Sequence, residues 1–146
     1  MNIFISCVSK KRDIPCKAEE MYISSLFKKS LSYAKTLNGH IRILSAKYGV
    51  LELDDFIEPY ELTLNSMSEI EKKTWAEKVI TQLNQKNIDF NEFTVFLVGE
   101  NYRKYLTSFF PKKEIPLEGL PIGKQLEWYT KQLNEKHSSS VKNILW

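Results

Sequence analysis

The residues suited to acid–base chemistry are carboxylates: Glu100 and Glu61 first, then Asp55 and Glu118. Glu100 directly follows the apolar run 93–98, so a buried strand would fix its position. A carboxylate held there can activate water or stabilise a positive sugar. The same residue also suits a helix start, where the helix dipole favours an anion. Lys10, Lys11, Lys17 and Lys47 suit phosphate binding as mobile point charges. Tyr48, Tyr60 and Tyr102 offer faces on which a base can stack. The alternative for each tyrosine is a half-buried ring whose hydroxyl reaches the surface. Ser6, Ser24 and Ser45 are polar contacts, and none has the His/Asp partner of a triad.

Other chemistries find less support. Cys7 reads first as a small buried residue at a strand end. As a catalytic thiolate it would rely on Lys10 and Lys11 to lower its pKa. With Cys16 it makes the only two cysteines, too few for a disulfide framework. His40 and His137 lie outside the loops expected to form a site, and no close pairing suits zinc. Neither metal nor cofactor is expected. No phosphate-cradling loop spacing is present. The glycines of Gly119-Leu120-Pro121-Ile122-Gly123 have the wrong spacing for a dinucleotide fingerprint.

These residues need elements that bring them together. The run 2–8 is nearly all apolar, as a strand covered on both faces requires. Residues 40–45, 93–98 and 114–117 read as three further strands. Helices are expected over 18–37, from Ser66 or Ser68 to about Gln85, briefly after Gly99, and over 122–136. Met67, Ile70, Ala76, Val79, Ile80 and Leu83 would form the buried stripe of the second. Ser66-Met67-Ser68-Glu69 and Ser68-Glu69-Ile70-Glu71 both fit a capping box. Asn38-Gly39 would cap the first helix and Pro121 would open the last. Gly49 falls where a left-handed turn is needed after Ser45-Ala46-Lys47-Tyr48.

Alternating strands and helices predict an α/β three-layer sandwich. It has a mainly parallel four-stranded sheet in the order 2-1-3-4, with helices on both faces. The crevice of such a sheet opens at the carboxyl ends of its strands. Four loops converge there: 6–17, 45–60, 99–102 and 116–123. The expected domain spans 1–136, and 137–146 is a tail whose Ile144-Leu145-Trp146 either docks or stays disordered.

The segment Leu44 to Leu64, LSAKYGVLELDDFIEPYELTL, resembles the YaaA-like family, small bacterial and phage proteins related to the YaaA peroxide-stress proteins. Further matching pieces are Ser6-Cys7, Lys10 or Lys11, Tyr22-Ile23-Ser24, Val98-Gly99-Glu100-Asn101-Tyr102 and the stretch from Pro116 to Gly123. The resemblance implies a site drawing on Ser6, Cys7, Lys10, Lys11, Tyr22, Ser24, Ser45, Lys47, Tyr48, Gly49, Pro59, Tyr60, Gly99, Tyr102, Gly119 and Gly123. It also implies DNA binding and protection from oxidative damage, although the family's helical DNA-binding part has no counterpart in this shorter chain.

The chain has 146 residues and a net charge of +3, with 42% hydrophobic residues. That composition suits one globular domain and carries no strong nucleic-acid signature. The first thirty residues are basic, whereas 52–61 are acidic; they either face each other across a cleft or are solvated surface. The apolar run at the start is too short to span a membrane, and no signal-peptide pattern precedes it. The expectation is a cytoplasmic protein with a nucleic acid or small nucleotide-like ligand as partner. Three functions fit: an enzyme cleaving or transferring an N-glycosidic bond, a non-catalytic DNA-binding stress protein, and a module binding a small nucleotide or a protein.

Overall fold

The computed structural model describes residues 1–7 and 10–145, with side chains described through Lys136. In chain order the elements are β1 (Asn2–Ser6), β2 (Cys16–Lys17), α1 (Ala18–Met21), α2 (Ser25–Lys35), β3 (His40–Ser45), β4 (Gly49–Glu52) and β5 (Phe56–Ile57). Then follow α3 (Glu69–Gln85), β6 (Thr94–Leu97), α4 (Glu100–Arg103), β7 (Lys113–Glu114) and α5 (Ile122–Leu145). Short 3-10 turns occupy Leu64–Ser66 and Thr107–Phe109.

Ile3, Phe4 and Ile5 are fully buried, as an unbroken apolar strand demands. β1 pairs in parallel with β3 on one side and β6 on the other, with Ile3 opposite Ile41 and Val95. Phe4 stacks on its register partner Phe96 at 5.4 Å, and Phe110 closes edge-on against both rings. Arg42, the one charge in β3, is buried. It pairs with Glu52 at 3.3 Å and donates to the Asn2 side chain.

The sheet is mixed and mostly parallel, with helices on both faces. Its order is β4-β3-β1-β6-β7. The expected four strands thus become five. After Gly49 the chain returns along β3 as an antiparallel edge, with Leu51 opposite Ile43. Val50 and Leu51 bury there, just ahead of the acidic segment 52–61. The last strand is Lys113–Glu114 rather than 114–117. Pro116 has no N–H to give a ladder, and Leu117 enters a turn whose Gly119 has φ +79°.

The helix expected over 18–37 is two helices. The chain leaves α1 at Tyr22 with extended backbone, and Ser24 starts α2 by accepting from the Phe27 amide at 3.2 Å. Loop backbone fills the break. Arg12 N–H donates to Met21 and Ile23 N–H donates to Lys10, an antiparallel bridge between Lys11 and Tyr22. Cys16–Lys17 pairs antiparallel with Phe56–Ile57 as a second, two-stranded sheet.

Of the two candidate capping boxes, Ser68 and Glu71 form one, each side chain bonding the other's backbone amide. Trp75, Ala76, Val79 and Leu83 face inward on α3, but Ile70 is 77% exposed. At about 100° per residue Ile70 points nearly opposite Val79, so it never belonged to that stripe. The final helix continues to Leu145 instead of ending at Lys136. Docking of Trp146 and the strand assignment of Val8 lie outside the described residues.

Candidate functional site

Because β1, β3 and β6 run parallel, Ser6, Ser45 and Leu97 end on one edge of the sheet. The Cys7 amide donates to Leu44 at 3.1 Å, which extends the strand pairing and fixes the cysteine at that edge. Two cavities open here, of about 860 and 260 Å³, and Cys7, Asn65 and Tyr102 line both. The crevice lies where an open α/β sheet places its ligands.

A chain of hydroxyls lies behind the cavities. Tyr48 N–H donates to Ser45 Oγ at 3.1 Å, and Ser45 Oγ donates to Tyr60 Oη at 2.7 Å. Tyr60 and Tyr22 share a hydrogen bond of 2.7 Å between their hydroxyls. Ser45 is fully buried, and its carbonyl accepts from the Trp75 indole at 2.9 Å. The Cys7 thiol donates to Tyr102 Oη at 3.4 Å, and the Leu64 amide donates to that same oxygen. Burial, with the Cys7 side chain as the next contributor, pushes the Tyr22, Tyr60 and Tyr102 phenols well above their ordinary range. These hydroxyls therefore stay protonated at neutral pH and act as donors or acceptors, not bases.

The break at Tyr22 now has a use. The bridge that occupies it brings Lys11 Nζ to 4.7 Å from the Tyr60 ring centre and 6.0 Å from that of Tyr22. Lys11, Arg12, Tyr60 and Glu61 line the larger cavity, with Pro59 beside them. Cations and aromatic faces thus meet at one opening. Glu100, Gly99 and Ser6 line the smaller cavity. Asn101 donates to Asn65 at 2.7 Å and ties α4 to the segment between β5 and α3.

Other expected site residues stand back from the cavities. Lys10 and Lys47 line neither; Lys47 Nζ lies 5.3 Å from the Tyr48 ring centre. Tyr48 packs edge-on against Tyr60 and hydrogen-bonds the backbone of Glu58, so it supports Tyr60 rather than facing the opening. Ser24 caps α2. The Asp55 carboxylate accepts from the Glu52 amide and closes a turn. Glu118, Gly119 and Gly123 lie near the start of α5 but line neither cavity. Gly49 has φ +75°, as its turn requires, and a Cβ there would collide with the Gln82 side chain. Gly99 has φ −67°, ordinary extended backbone, so the turn into α4 does not depend on glycine.

Several lining residues were not singled out from the sequence: Asn65, Thr63, Arg12, Gln125 and Tyr129. Tyr129 had a signal, since it sits on the apolar face of a helix and carries a hydroxyl that burial must satisfy. Among the described residues no group of three or more His, Cys, Asp or Glu is placed to hold a metal. No helix among them is long and apolar enough to cross a membrane.

The molecule is thus an α/β protein with a crevice, lined by phenols and by charges of both signs, at the carboxyl edge of its parallel strands. Its sequence matches the pattern of a family described as "Family of unknown function (DUF6884)" over residues 3–131, and the chain belongs to that family. It is also 31% identical over 128 residues to a Bacillus subtilis (strain 168) protein described as "Uncharacterized protein YfjM", with 84% of each chain covered. Neither bears the YaaA name.

Proposed function

We propose that the crevice binds a nucleobase-bearing ligand, a nucleoside, nucleotide or exposed nucleotide of a nucleic acid, and that the protein cleaves or transfers its N-glycosidic bond. The observation that carries this reading is the lining of the larger cavity. Lys11 and Arg12 supply charge for a phosphate, Tyr60 and Tyr102 supply aromatic surface, and Glu61 and Asp13 supply carboxylates. A volume of about 860 Å³ suits a small-molecule ligand.

In such a reaction the C1′–N bond breaks, and its electron pair leaves with the base, which takes up a proton. Water or a second base then adds to C1′, giving up its proton to a carboxylate. Glu61 lines the larger cavity and Glu100 the smaller, and the two cavities share Cys7, Asn65 and Tyr102, so these are the two carboxylates the reaction would draw on. Asp55 is committed to its turn and drops out.

The test is incubation with nucleosides, nucleotides and modified DNA, with chromatography for released base. Release that falls about a hundredfold or more in Glu100→Gln or Glu61→Gln supports the enzyme. Nucleotide binding without release leaves a binding module. Retention of DNA at moderate salt, without turnover, favours the DNA-binding stress protein.

A further inference from the structure

The smaller cavity differs in chemistry from the larger one. Among the described residues no Lys, Arg or His lines it. Its polar lining is neutral except for Glu100, which is itself exposed. Leu26, Leu97, Leu117 and Ile122 make up its apolar part. Its volume, about 260 Å³, is below the roughly 300–1,000 Å³ of pockets for whole drug-sized ligands. It suits one ring system, and nothing in it would balance a phosphate.

Tyr129 lines this cavity and is fully buried, yet its hydroxyl has no hydrogen-bond partner among the described residues. Buried hydroxyls are almost always paired, because leaving one bare costs the full desolvation of the group. The ring itself is well held, edge-on to Trp128 at 5.3 Å and tilted against Tyr33 at 5.9 Å. Phenylalanine would fill the same space without the cost. Burial also keeps this phenol protonated through the neutral range, so it is a standing donor. One turn earlier, Gln125 anchors its amide nitrogen on the Leu120 carbonyl at 2.8 Å, which leaves its oxygen as an acceptor of fixed position.

We infer that the smaller cavity is the base-recognition pocket. The neutral heterocycle of the ligand inserts there, Tyr129 Oη and Gln125 read its edge, and Lys11 and Arg12 hold the anionic end in the larger cavity. The sugar then spans the junction at Cys7, Asn65 and Tyr102. This assignment rests on the nucleobase reading and adds which cavity takes which part.

The experiment is calorimetric titration of the wild type, Tyr129→Phe and Lys11→Ala with the four nucleoside 5′-monophosphates and with ribose 5-phosphate, which lacks a base. Tyr129→Phe should weaken at least one nucleotide about five- to tenfold. It should leave ribose 5-phosphate unchanged and leave the thermal midpoint of the free protein unchanged or higher. Lys11→Ala should weaken both ligand types. Equal nucleotide affinity in wild type and Tyr129→Phe overturns the assignment while the nucleobase reading stands. Loss of ribose 5-phosphate binding in Tyr129→Phe also overturns it. No binding of any nucleotide to the wild type overturns both. A Gln125→Leu variant, carrying the same expectation of base-selective loss, guards against a fold defect in Tyr129→Phe.

Discussion

Gly49→Ala isolates how the hairpin holds the site wall. The backbone at this residue has φ +75°, where a Cβ costs about 1–2 kcal/mol. A second cost follows from the neighbour. Gln82 Oε1 accepts from the Val50 amide at 2.8 Å, and Gln82 Nε2 donates to the Tyr48 carbonyl at 3.0 Å. The new methyl would occupy the space of that amide group and displace it. Two hydrogen bonds at about 0.5–1.5 kcal/mol each add about 1–3 kcal/mol. The substitution should therefore cost about 2–5 kcal/mol, a large share of a small domain's stability. Urea unfolding at fixed m-value measures it. In a Gln82→Ala background the collision and the bonds are already gone, so Gly49→Ala should cost only the strain of about 1–2 kcal/mol. The difference is the coupling energy. Equal costs in both backgrounds would refute the Gln82 clamp, and a cost near zero in the wild type would refute the strain.

Two further outcomes concern pH. Tyr22, Tyr60, Tyr102 and Tyr129 have phenol pKa values raised by burial, so the folded state holds their protons more tightly than the unfolded one. That contribution is complete below about 10 and is lost as pH rises above it; tyrosinate absorbance should show a component that ionises only with unfolding. All seven tyrosines titrating together near 10 would contradict this. For Glu52, burial opposes the charge, but the hydrogen bond from His40 and the charges of Arg42 and Lys86 outweigh it and hold the carboxyl below its ordinary value. Its contribution is present above about 4.3 and is lost as pH falls through the depressed folded value. Glu52→Gln should lower the urea midpoint at neutral pH and flatten its acid dependence, and parallel profiles for the two proteins would contradict the assignment.

Much of the sheet was legible because its signal is local. The apolar runs at 2–8 and 93–98 announce strands buried on both faces, and right-handed crossovers leave few ways to order them. Gly49 and the Ser68–Glu71 box were legible for the same reason, since turn and cap chemistry act within four residues. Pairings distant in sequence were not. β4 exists because β3 lies beside it, and Val50-Leu51-Glu52 alone is too short to declare itself. The break at Tyr22 is hidden, because Tyr22, Leu26 and Phe27 keep helical spacing across it; the loop at Lys10–Arg12 supplies the competing hydrogen bonds. The crevice was located by the ends of the parallel strands. Its lining was only partly readable, since Lys47 and Lys11 look alike in sequence, and only the bridge to Tyr22 turns one of them toward Tyr60.

The most direct test of the crevice as a nucleotide site is a crystal structure of the protein soaked with a nucleoside 5′-monophosphate. The account predicts ligand density spanning both cavities across Cys7, Asn65 and Tyr102, with the phosphate beside Lys11 and Arg12 and the base beside Tyr129. Density confined to another surface, such as the groove between Gly39 and Asp54 at the opposite end of β3, would contradict it.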